Sequence, residues 1–283
     1  MKTQIILRKV HYAFSAFLCT ACLVSCNDWL KPEPLSFYSP ENTYVTKEGL
    51  EGALVSCRAM IRPEFIGNNS YACTELMTSD VAVAGNIVAQ TLKNFEIQLK
   101  PGAYGDSQIG TFWSKGYSAI QKANTIISRV QAADEITEND KNTILAEGYF
   151  HRSYWYYKLV NQFGDVPFID KEVTTPKLDF YSHTRSSILK RLREDMMFAT
   201  RYLPESAPHG AVSKAAGNHL LAKICLACCD FDGAVAATTA VIDHSQHKLM
   251  EKRFGVNISD AQYNIISDLF NRENINSGRH LPG

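Results

Sequence analysis

Apolar residues recur at the spacing of an α-helix along most of this chain, and that periodicity limits its fold more than any other feature. The longest periodic run is predicted to begin at Thr137, where Thr137-x-x-Asp140 resembles a capping box. It is predicted to end at Phe163, just before Gly164-Asp165-Val166-Pro167. Such a helix would be about 39 Å long at ~1.5 Å per residue. Its apolar residues fall on two faces, which is typical of a helix packed between neighbours.

The same run is rich in aromatic residues, which leaves two interpretations open. Its aromatic residues are Tyr149, Phe150, Tyr154, Trp155, Tyr156, Tyr157 and Phe163. They could form a platform that stacks on a ligand, or they could fill the core. One stripe consists of Ala146, Tyr149, Phe150, Ser153, Tyr157 and Val160, and a second of Trp155 and Leu159. Two such stripes favour the core.

Five further helices are predicted, so the fold class is mostly α. They span about residues 47–61, 107–130, 182–203, 213–229 and 234–244. Pro63 is predicted to stop the first of them, and Ser213 is a good N-cap for the fifth. The last two make a hairpin that resembles a tetratricopeptide unit. No pair of strands is predicted.

Residues 63–105, after the first helix, are predicted to be an irregular loop region because glycine, asparagine and proline recur in them. A loop region of that length is usually functional.

Residues 1–25 have the layout of a secretory signal peptide. Lys2, Arg8 and Lys9 form a basic start, and a mostly apolar stretch without acidic residues follows. The stretch ends in Leu23-Val24-Ser25-Cys26, the pattern of a bacterial lipobox. We therefore predict cleavage before Cys26 and lipidation of its thiol, which would anchor the protein to a membrane. An ordinary signal peptide with a chance cysteine is the alternative.

Three further segments follow the leader. Residues 26–46 are punctuated by Pro32, Pro34 and Pro40 and read as a lipidated tether. Residues 47–245 contain the predicted helices and form the helical domain. Residues 246–283 are polar and aperiodic and read as an irregular tail.

Charge and hydropathy exclude two classes of protein. The chain has 29 basic and 29 acidic residues, so it lacks the basic excess of a nucleic-acid-binding protein. No interior apolar run reaches the ~18 residues that a membrane-spanning helix needs, which excludes a polytopic membrane protein.

The cysteines left after the leader and the lipid site are Cys57, Cys73, Cys225, Cys228 and Cys229. Cys225-x-x-Cys228 could bind metal or carry redox chemistry, but it lies in a predicted helix with apolar spacing. We therefore expect small core residues there and no metal site. A disulfide between Cys57 and Cys73 stays open.

No enzyme motif and no cofactor motif is present. The chain lacks a glycine-rich phosphate loop, a His-x-x-x-His pair and a nucleophile elbow. Glu194 and Asp195 are adjacent carboxylates, but neighbouring side chains on a helix diverge and an exposed acidic pair is commonly inert. We therefore expect no enzyme and no cofactor.

Four stretches, in this order, resemble the SusD/RagB family of nutrient-binding outer-membrane lipoproteins of Bacteroidetes. They are the lipobox running into Cys26-Asn27-Asp28-Trp29-Leu30, then Trp113-x3-Tyr117-x2-Ile120-x2-Ala123-Asn124, then Ala146-Glu147-Gly148-Tyr149-Phe150-His151-Arg152 up to Val166-Pro167, and Ser213-Lys214-Ala215-Ala216-x4-Leu221-Ala222-Lys223. The resemblance covers about residues 26–245. Gly148 and His151 depart from the family's usual residues.

The resemblance implies tetratricopeptide-like hairpins and a surface-exposed outer-membrane lipoprotein without catalytic residues. Such proteins cover a TonB-dependent, SusC-like transporter and deliver oligosaccharides, or in some branches peptides, to it. Members of the family are about twice as long as this chain. Residues 246–283 would then be the start of a missing C-terminal half, and the sequence is expected to be truncated.

For a glycan ligand, the loop region offers Tyr71, Asp80 and Asn86, since aromatic faces stack on sugars and polar side chains bind hydroxyls. Two other functions are weighed against glycan binding. One is a helical-repeat scaffold that binds proteins and lacks a complete ligand site. The other is a lipid-anchored glycoside hydrolase, which would need two carboxylates about 5–10 Å apart.

Overall fold

The computed structural model describes residues 43–65, 108–134, 136–208 and 210–243. In this part of the chain the helices are α1 (Lys47–Phe65), α2 (Gln108–Arg129), α3 (Glu138–Phe163), α4 (Arg185–Tyr202), α5 (Lys214–Ala227) and α6 (Phe231–Ile242). A short 3-10 turn, Val130–Ala132, follows α2. Two strands of two residues each, β1 (Val166–Pro167) and β2 (Ser182–His183), lie between α3 and α4.

Side-chain caps fix where four of the described helices begin, and two of these caps were predicted from the sequence. At α3 the Thr137 hydroxyl accepts a hydrogen bond from the Asp140 amide, which confirms the predicted cap. Gly164 ends α3 with a positive φ of 75°, a conformation that glycine adopts without strain. Ser213 caps α5 as predicted, through the amide of Ala216.

Two predicted helix starts are wrong because other residues act as caps. The fourth helix begins at Arg185, not at Ser182, because Thr184 caps it and Ser182–His183 form β2. The sixth begins at Phe231, three residues before the prediction, because the Asp230 carboxylate accepts a hydrogen bond from the Gly233 amide.

The first helix continues through Pro63, so the prediction that Pro63 stops it is wrong. Proline in a last turn costs one intrahelical hydrogen bond and crowds the preceding turn. The next residue, Glu64, is completely buried and held by Lys158 of α3. This tertiary contact offsets the local cost.

The expectation of no strand pair is also wrong. Val166 of β1 lies opposite His183 of β2, in antiparallel register. The Asp165 carboxylate accepts a hydrogen bond from the Arg185 amide at 2.8 Å. This contact joins the end of α3 to the start of α4 and brings the two short strands together.

The long helix α3 lies at the centre, as its two apolar faces predicted. It packs against α1, α2 and α4. One core cluster is centred on Trp155, Tyr156 and Leu159 and extends over α4, α5 and α6. A second is formed mainly by α1, α2 and the start of α3. Tyr149 and Phe198 pack against both.

The architecture is therefore a stack of helical hairpins, as predicted. The hairpin of α2 and α3 is followed by α4 and then by the shorter hairpin of α5 and α6. Among the described helices, none combines the length and the apolar character needed to cross a bilayer.

Candidate ligand-binding site

The side chains predicted to bind the ligand, Tyr71, Asp80 and Asn86, lie outside the described residues. Cys26, the predicted lipid site, does as well. The predicted ligand residues lie in the sequence between the end of α1 at Phe65 and the start of α2 at Gln108.

A row of polar side chains on α3 faces α1. The row consists of Glu147, His151, Tyr154 and Lys158, which recur at the spacing of one helix face. Its partners on α1 are Arg58 and Glu64. We call these six residues the polar seam. Sequence analysis missed it, although the spacing of its members on α3 was visible.

The first contact of the polar seam joins Arg58 to Glu147. Arg58 donates through Nε to Oε1 at 2.6 Å and through Nη2 to Oε2 at 2.8 Å. The Nε2 atom of the buried His151 lies 3.5 Å from Oε1 of the same carboxylate. Burial acts to raise the pKa of Glu147, but His151 and Arg58 outweigh it and the pKa lies below its ordinary value. Glu147 is therefore held as a carboxylate.

The second contact of the polar seam fixes the end of α1. Lys158 Nζ lies 2.9 Å from each carboxylate oxygen of Glu64, and the Tyr154 hydroxyl donates a hydrogen bond to the same group. The Lys158 ammonium also lies 5.8 Å from the centre of the Phe112 ring on α2. Lys158 thus contacts the last turn of α1 and the first turns of α2, on either side of the loop region.

A second buried ion pair, Arg152–Asp195, joins α3 to α4. The guanidinium contacts Asp195 Oδ2 at 2.5 and 3.1 Å and donates to the Asp170 carbonyl at 2.7 Å. Burial raises the pKa of Asp195 despite the opposing effect of Arg152. Glu194 is exposed, so the two adjacent carboxylates diverge as predicted. The expectation that both are exposed is wrong for Asp195, because its side chain faces α3.

The segment after α3 lies along α2. The Tyr117 hydroxyl donates to the Pro167 carbonyl at 2.8 Å, and Asn124 Nδ2 donates to the Ile169 carbonyl at 2.7 Å. Sequence analysis did not assign roles to these two side chains. They satisfy the carbonyl groups of a segment that has only a two-residue strand pair of its own.

The aromatic residues of α3 belong mainly to the core. Trp155 and Tyr156 are completely buried, and Tyr149, Tyr154 and Tyr157 are half-buried against the same cluster. Burial raises the pKa of Tyr156, whose hydroxyl accepts a hydrogen bond from the Ile169 amide at 2.6 Å. The core interpretation of this aromatic run is confirmed.

The three cysteines at the end of α5 and in the turn after it differ in burial. Cys225 is buried, Cys228 is half-buried and Cys229 is exposed at the turn before α6, where its φ is 59°. The Cys57 side chain is buried, and Cys73 lies outside the described residues, so a disulfide between the two stays open. Over the ranges that the structure describes, no group of three or more histidine, cysteine or acidic side chains could hold a metal ion.

Three buried carboxylates of the described helices each contact a cation. They are Glu64, Glu147 and Asp195. A carboxylate that attacks or protonates a glycosidic bond has to meet the substrate. Each of these three carboxylates instead pairs with a cation of a neighbouring helix. The pairs join α1 and α4 to α3.

The sequence matches that of a known family. A sequence profile of SusD-like proteins, described as "Starch-binding associating with outer membrane", matches residues 50–226. The SusD-like protein P2 of Formosa agariphila is 29% identical over 243 residues, which are 84% of this chain and 47% of that protein. The SusD-like protein P25 of the same organism is 24% identical over 274 residues, 50% of its length. The chain spans about half the length of these relatives.

Solved structures show the same fold. A SusD superfamily protein from Bacteroides vulgatus superimposes with a TM-score of 0.64 at 18% identity, over 74% of this chain and 46% of that one. A laminarin-binding SusD-like protein superimposes with a TM-score of 0.59 at 20% identity, over 74% and 46% of the two chains. The profile match covers more than half of this sequence and includes α2, α3 and α4. The chain therefore belongs to the SusD-like family.

Proposed function

We propose that this chain is a lipid-anchored, surface-exposed protein of the outer membrane that binds nutrient oligosaccharides and delivers them to a TonB-dependent, SusC-like transporter. The observation that carries the proposal is the family match over residues 50–226. Peptides are the second ligand class. Binding occurs without turnover, and neither nucleic acid nor a cofactor takes part.

Affinity electrophoresis with starch and laminarin tests glycan binding directly, because both polymers occur in the descriptions of similar proteins. We expect retarded migration in at least one of the two gels and no release of small sugars. Release of sugars would support the hydrolase instead. Retardation in neither gel, with no binding of a peptide mixture, would reject the ligand-binding proposal.

The proposed contacts to the ligand are Tyr71, Asp80 and Asn86. Tyr71→Ala removes a ring that can stack on a sugar face, a loss of about 1 kcal/mol or roughly a fivefold to tenfold weaker affinity. Asp80→Ala and Asn86→Ala remove hydrogen bonds to hydroxyls and should weaken binding similarly. The matched control is Tyr181→Ala, which removes an exposed tyrosine of the segment between β1 and β2. Equal affinity of Tyr71→Ala and the control would reject Tyr71.

Anchoring rests on Cys26 as the acylated residue. Cys26→Ser should abolish incorporation of labelled palmitate and move the protein from the membrane fraction to the soluble one. Cys22→Ser is the matched control, since Cys22 belongs to the predicted leader. Equal palmitate incorporation in the two variants would contradict anchoring through Cys26.

The helical-repeat scaffold remains the alternative function. The stack of helical hairpins supports it, because stacked helical repeats form extended surfaces that bind other proteins. Purification from its own membrane separates the two functions. If the protein co-purifies with a transporter and its electrophoretic migration changes in a gel that contains glycan, it is a binding protein. If it co-purifies with a partner but responds to no ligand, it is a scaffold.

A further inference from the structure

The chain between β1 and β2 consists of a part that is held against the helices and a part that is exposed. The held part, residues 168–173, lies along α2. Within it the Glu172 amide donates a hydrogen bond to the Ser128 hydroxyl at 3.0 Å, and the Glu172 carboxylate pairs with Arg129 at 2.8 Å. The exposed part is residues 174–181, each of which is exposed. We call these residues the exposed segment.

The backbone of the exposed segment is not tied to the described helices. Within the part of the chain that the structure describes, the peptide groups of residues 174–180 make no hydrogen bond. The side chain of Leu178 is 98% exposed and that of Tyr181 is 76% exposed. An exposed segment without backbone hydrogen bonds can enter the active-site cleft of a protease without prior unfolding.

The centre of the exposed segment offers a lysine to such an enzyme. Lys177 Nζ lies 3.9 Å from a carboxylate oxygen of Asp179 and 5.7 Å from the centre of the Phe180 ring. Both contacts are weak because they lie in water, and the Lys177 side chain is 48% exposed. Endoproteases that cut after lysine bind its ammonium group through a carboxylate in their specificity pocket. The Lys177–Leu178 bond therefore has an accessible lysine and accessible backbone on both sides.

The other lysines of the described ranges lie in helices, with the exception of Lys171. Helical peptide bonds are protected by the i→i−4 hydrogen bonds. Lys171 is exposed, but both of its neighbours are fixed. The Asp170 carbonyl accepts a hydrogen bond from Arg152 at 2.7 Å, and the Glu172 amide is bound to Ser128. Cleavage after Lys171 requires these contacts to open first.

The parts of the chain on either side of the exposed segment are held together without it. The strands β1 and β2 pair at its base. The buried ion pair Arg152–Asp195 joins α3 to α4, and the rings of Tyr149 and Phe198 meet edge to face at 5.5 Å between the same helices. A cut within the exposed segment breaks none of these contacts.

We propose that the Lys177–Leu178 peptide bond is a processing site for lysine-directed endoproteases, and that the protein stays folded and assembled after the cut. Hydrolysis adds one water molecule across the bond, so Lys177 ends in a carboxylate and Leu178 begins with an ammonium group. This inference goes beyond the proposed function and depends on neither the ligand nor the transporter.

Brief digestion of the folded, full-length protein with a lysine-specific serine endoprotease tests the site. New N-termini are tagged chemically and identified by mass spectrometry. Within the described ranges we expect Leu178 to appear first, and Glu172 to appear at least about tenfold more slowly because hydrogen bonds beside Lys171 must open. Lys177→Gln should abolish the new terminus at Leu178. The matched control, Lys171→Gln, should leave the rate of cleavage before Leu178 unchanged.

Three results would overturn the site. The first is a terminus at Glu172 that appears as fast as the one at Leu178. The second is an earlier cut inside one of the described helices. The third is an uncut Lys177–Leu178 bond after a digestion time that cleaves the urea-unfolded protein completely.

Size-exclusion chromatography of the cut protein tests whether it stays assembled. We expect the chain that ends at Lys177 and the chain that begins at Leu178 to elute together in native buffer and to separate in urea. Because the cut removes the covalent link, the urea midpoint should then rise with protein concentration, whereas that of uncut Lys177→Gln should not. Separation of the two chains in native buffer would contradict the proposal.

Discussion

At the scale of single residues, Glu147 is the group of the polar seam whose titration should be visible in stability. Its folded-state pKa lies below the ordinary value of 4.5, because contacts with Arg58 and His151 outweigh burial. A lowered pKa contributes stability above pH 4.5, and that contribution is lost as the pH falls through the folded-state pKa. Glu147→Gln should remove this pH dependence and cost about 2 kcal/mol at pH 7.

Urea unfolding at pH 7 and at pH 4 measures the effect of Glu147→Gln. The difference in unfolding free energy between the two pH values should be smaller in the variant than in the wild type. Glu194→Gln is the control, because that carboxylate is mostly exposed and its ion pair with Arg191 is weak. If the unfolding free energy of Glu147→Gln depends on pH as strongly as that of the wild type, the Glu147 carboxylate is not the titrating group.

Arg152 and Asp195 provide a second prediction at this scale, because both side chains are almost completely buried. Asp195→Ala leaves the guanidinium without its counter-charge and should destabilise the protein by about 3–5 kcal/mol. The double variant Arg152→Met with Asp195→Leu removes both charges and should recover most of that loss. Thermal and urea unfolding of the single and the double variant measures these losses of stability. A double variant as unstable as Asp195→Ala would mean that packing, and not the unpaired charge, causes the loss.

At the scale of elements, the crossing of α5 over α4 depends on a glycine. A Cβ atom added at Gly217 would lie 2.6 Å from Cδ1 of the buried Leu203. Gly217→Ala should therefore separate the two helices and destabilise the protein by about 1 kcal/mol, even though alanine favours the helix. Gly52→Ala is the matched control, since an added Cβ on α1 would meet nothing within 4 Å.

The control substitution carries its own expected result. Gly52→Ala should raise the unfolding free energy by about 0.5–1 kcal/mol, because alanine restricts the unfolded chain and favours the helix. If the two substitutions change the unfolding free energy in opposite directions in the same urea titration, close packing causes the loss of stability at Gly217. A stabilising Gly217→Ala would show that Leu203 moves aside at little cost.

The helices and strands also show which parts of the fold could be predicted from the sequence. The bounds of helix α3 were predictable to about one residue, because Thr137 and Gly164 act locally on the backbone. The end of α1 was not, because Glu64 is held by Lys158, which lies 94 residues away in the sequence. The strand pair was missed for a similar reason, since two-residue strands carry no period and depend on a contact between Asp165 and Arg185.

From the sequence, the ligand site can be predicted only as a region, and that region stays a prediction. Glycine and asparagine in residues 63–105 indicate irregular backbone, and aromatic and polar residues indicate sugar chemistry. Which of them converge depends on contacts between distant residues, and no period in the sequence encodes those contacts. The polar seam could have been found from its spacing on α3, because Glu147, His151, Tyr154 and Lys158 all fall on one helix face.

At the scale of the whole molecule, the described helices contain two core clusters that share side chains. Tyr149 of α3 and Phe198 of α4 contact both clusters, and their rings meet edge to face at 5.5 Å. α3 also contributes buried residues to each cluster. A helix common to two cores couples their unfolding, so we expect the described part of the chain to unfold as one cooperative unit.

The cysteines report on that cooperativity, because each cluster contains one buried thiol. Burial raises the pKa of Cys57 to about 12 and that of Cys225 to about 11, so neither forms a reactive thiolate in the folded protein near pH 8. Cys229 is exposed and serves as the internal control.

Maleimide labelling across a urea series, read at each cysteine by peptide mass spectrometry, should modify Cys229 without urea. Cys57 and Cys225 should then react together, at the urea concentration that unfolds the helices. Earlier labelling of Cys57 would mean that α1 detaches while α3 to α6 stay folded. The polar seam between α1 and α3 would then be weaker than the contact between α3 and α4.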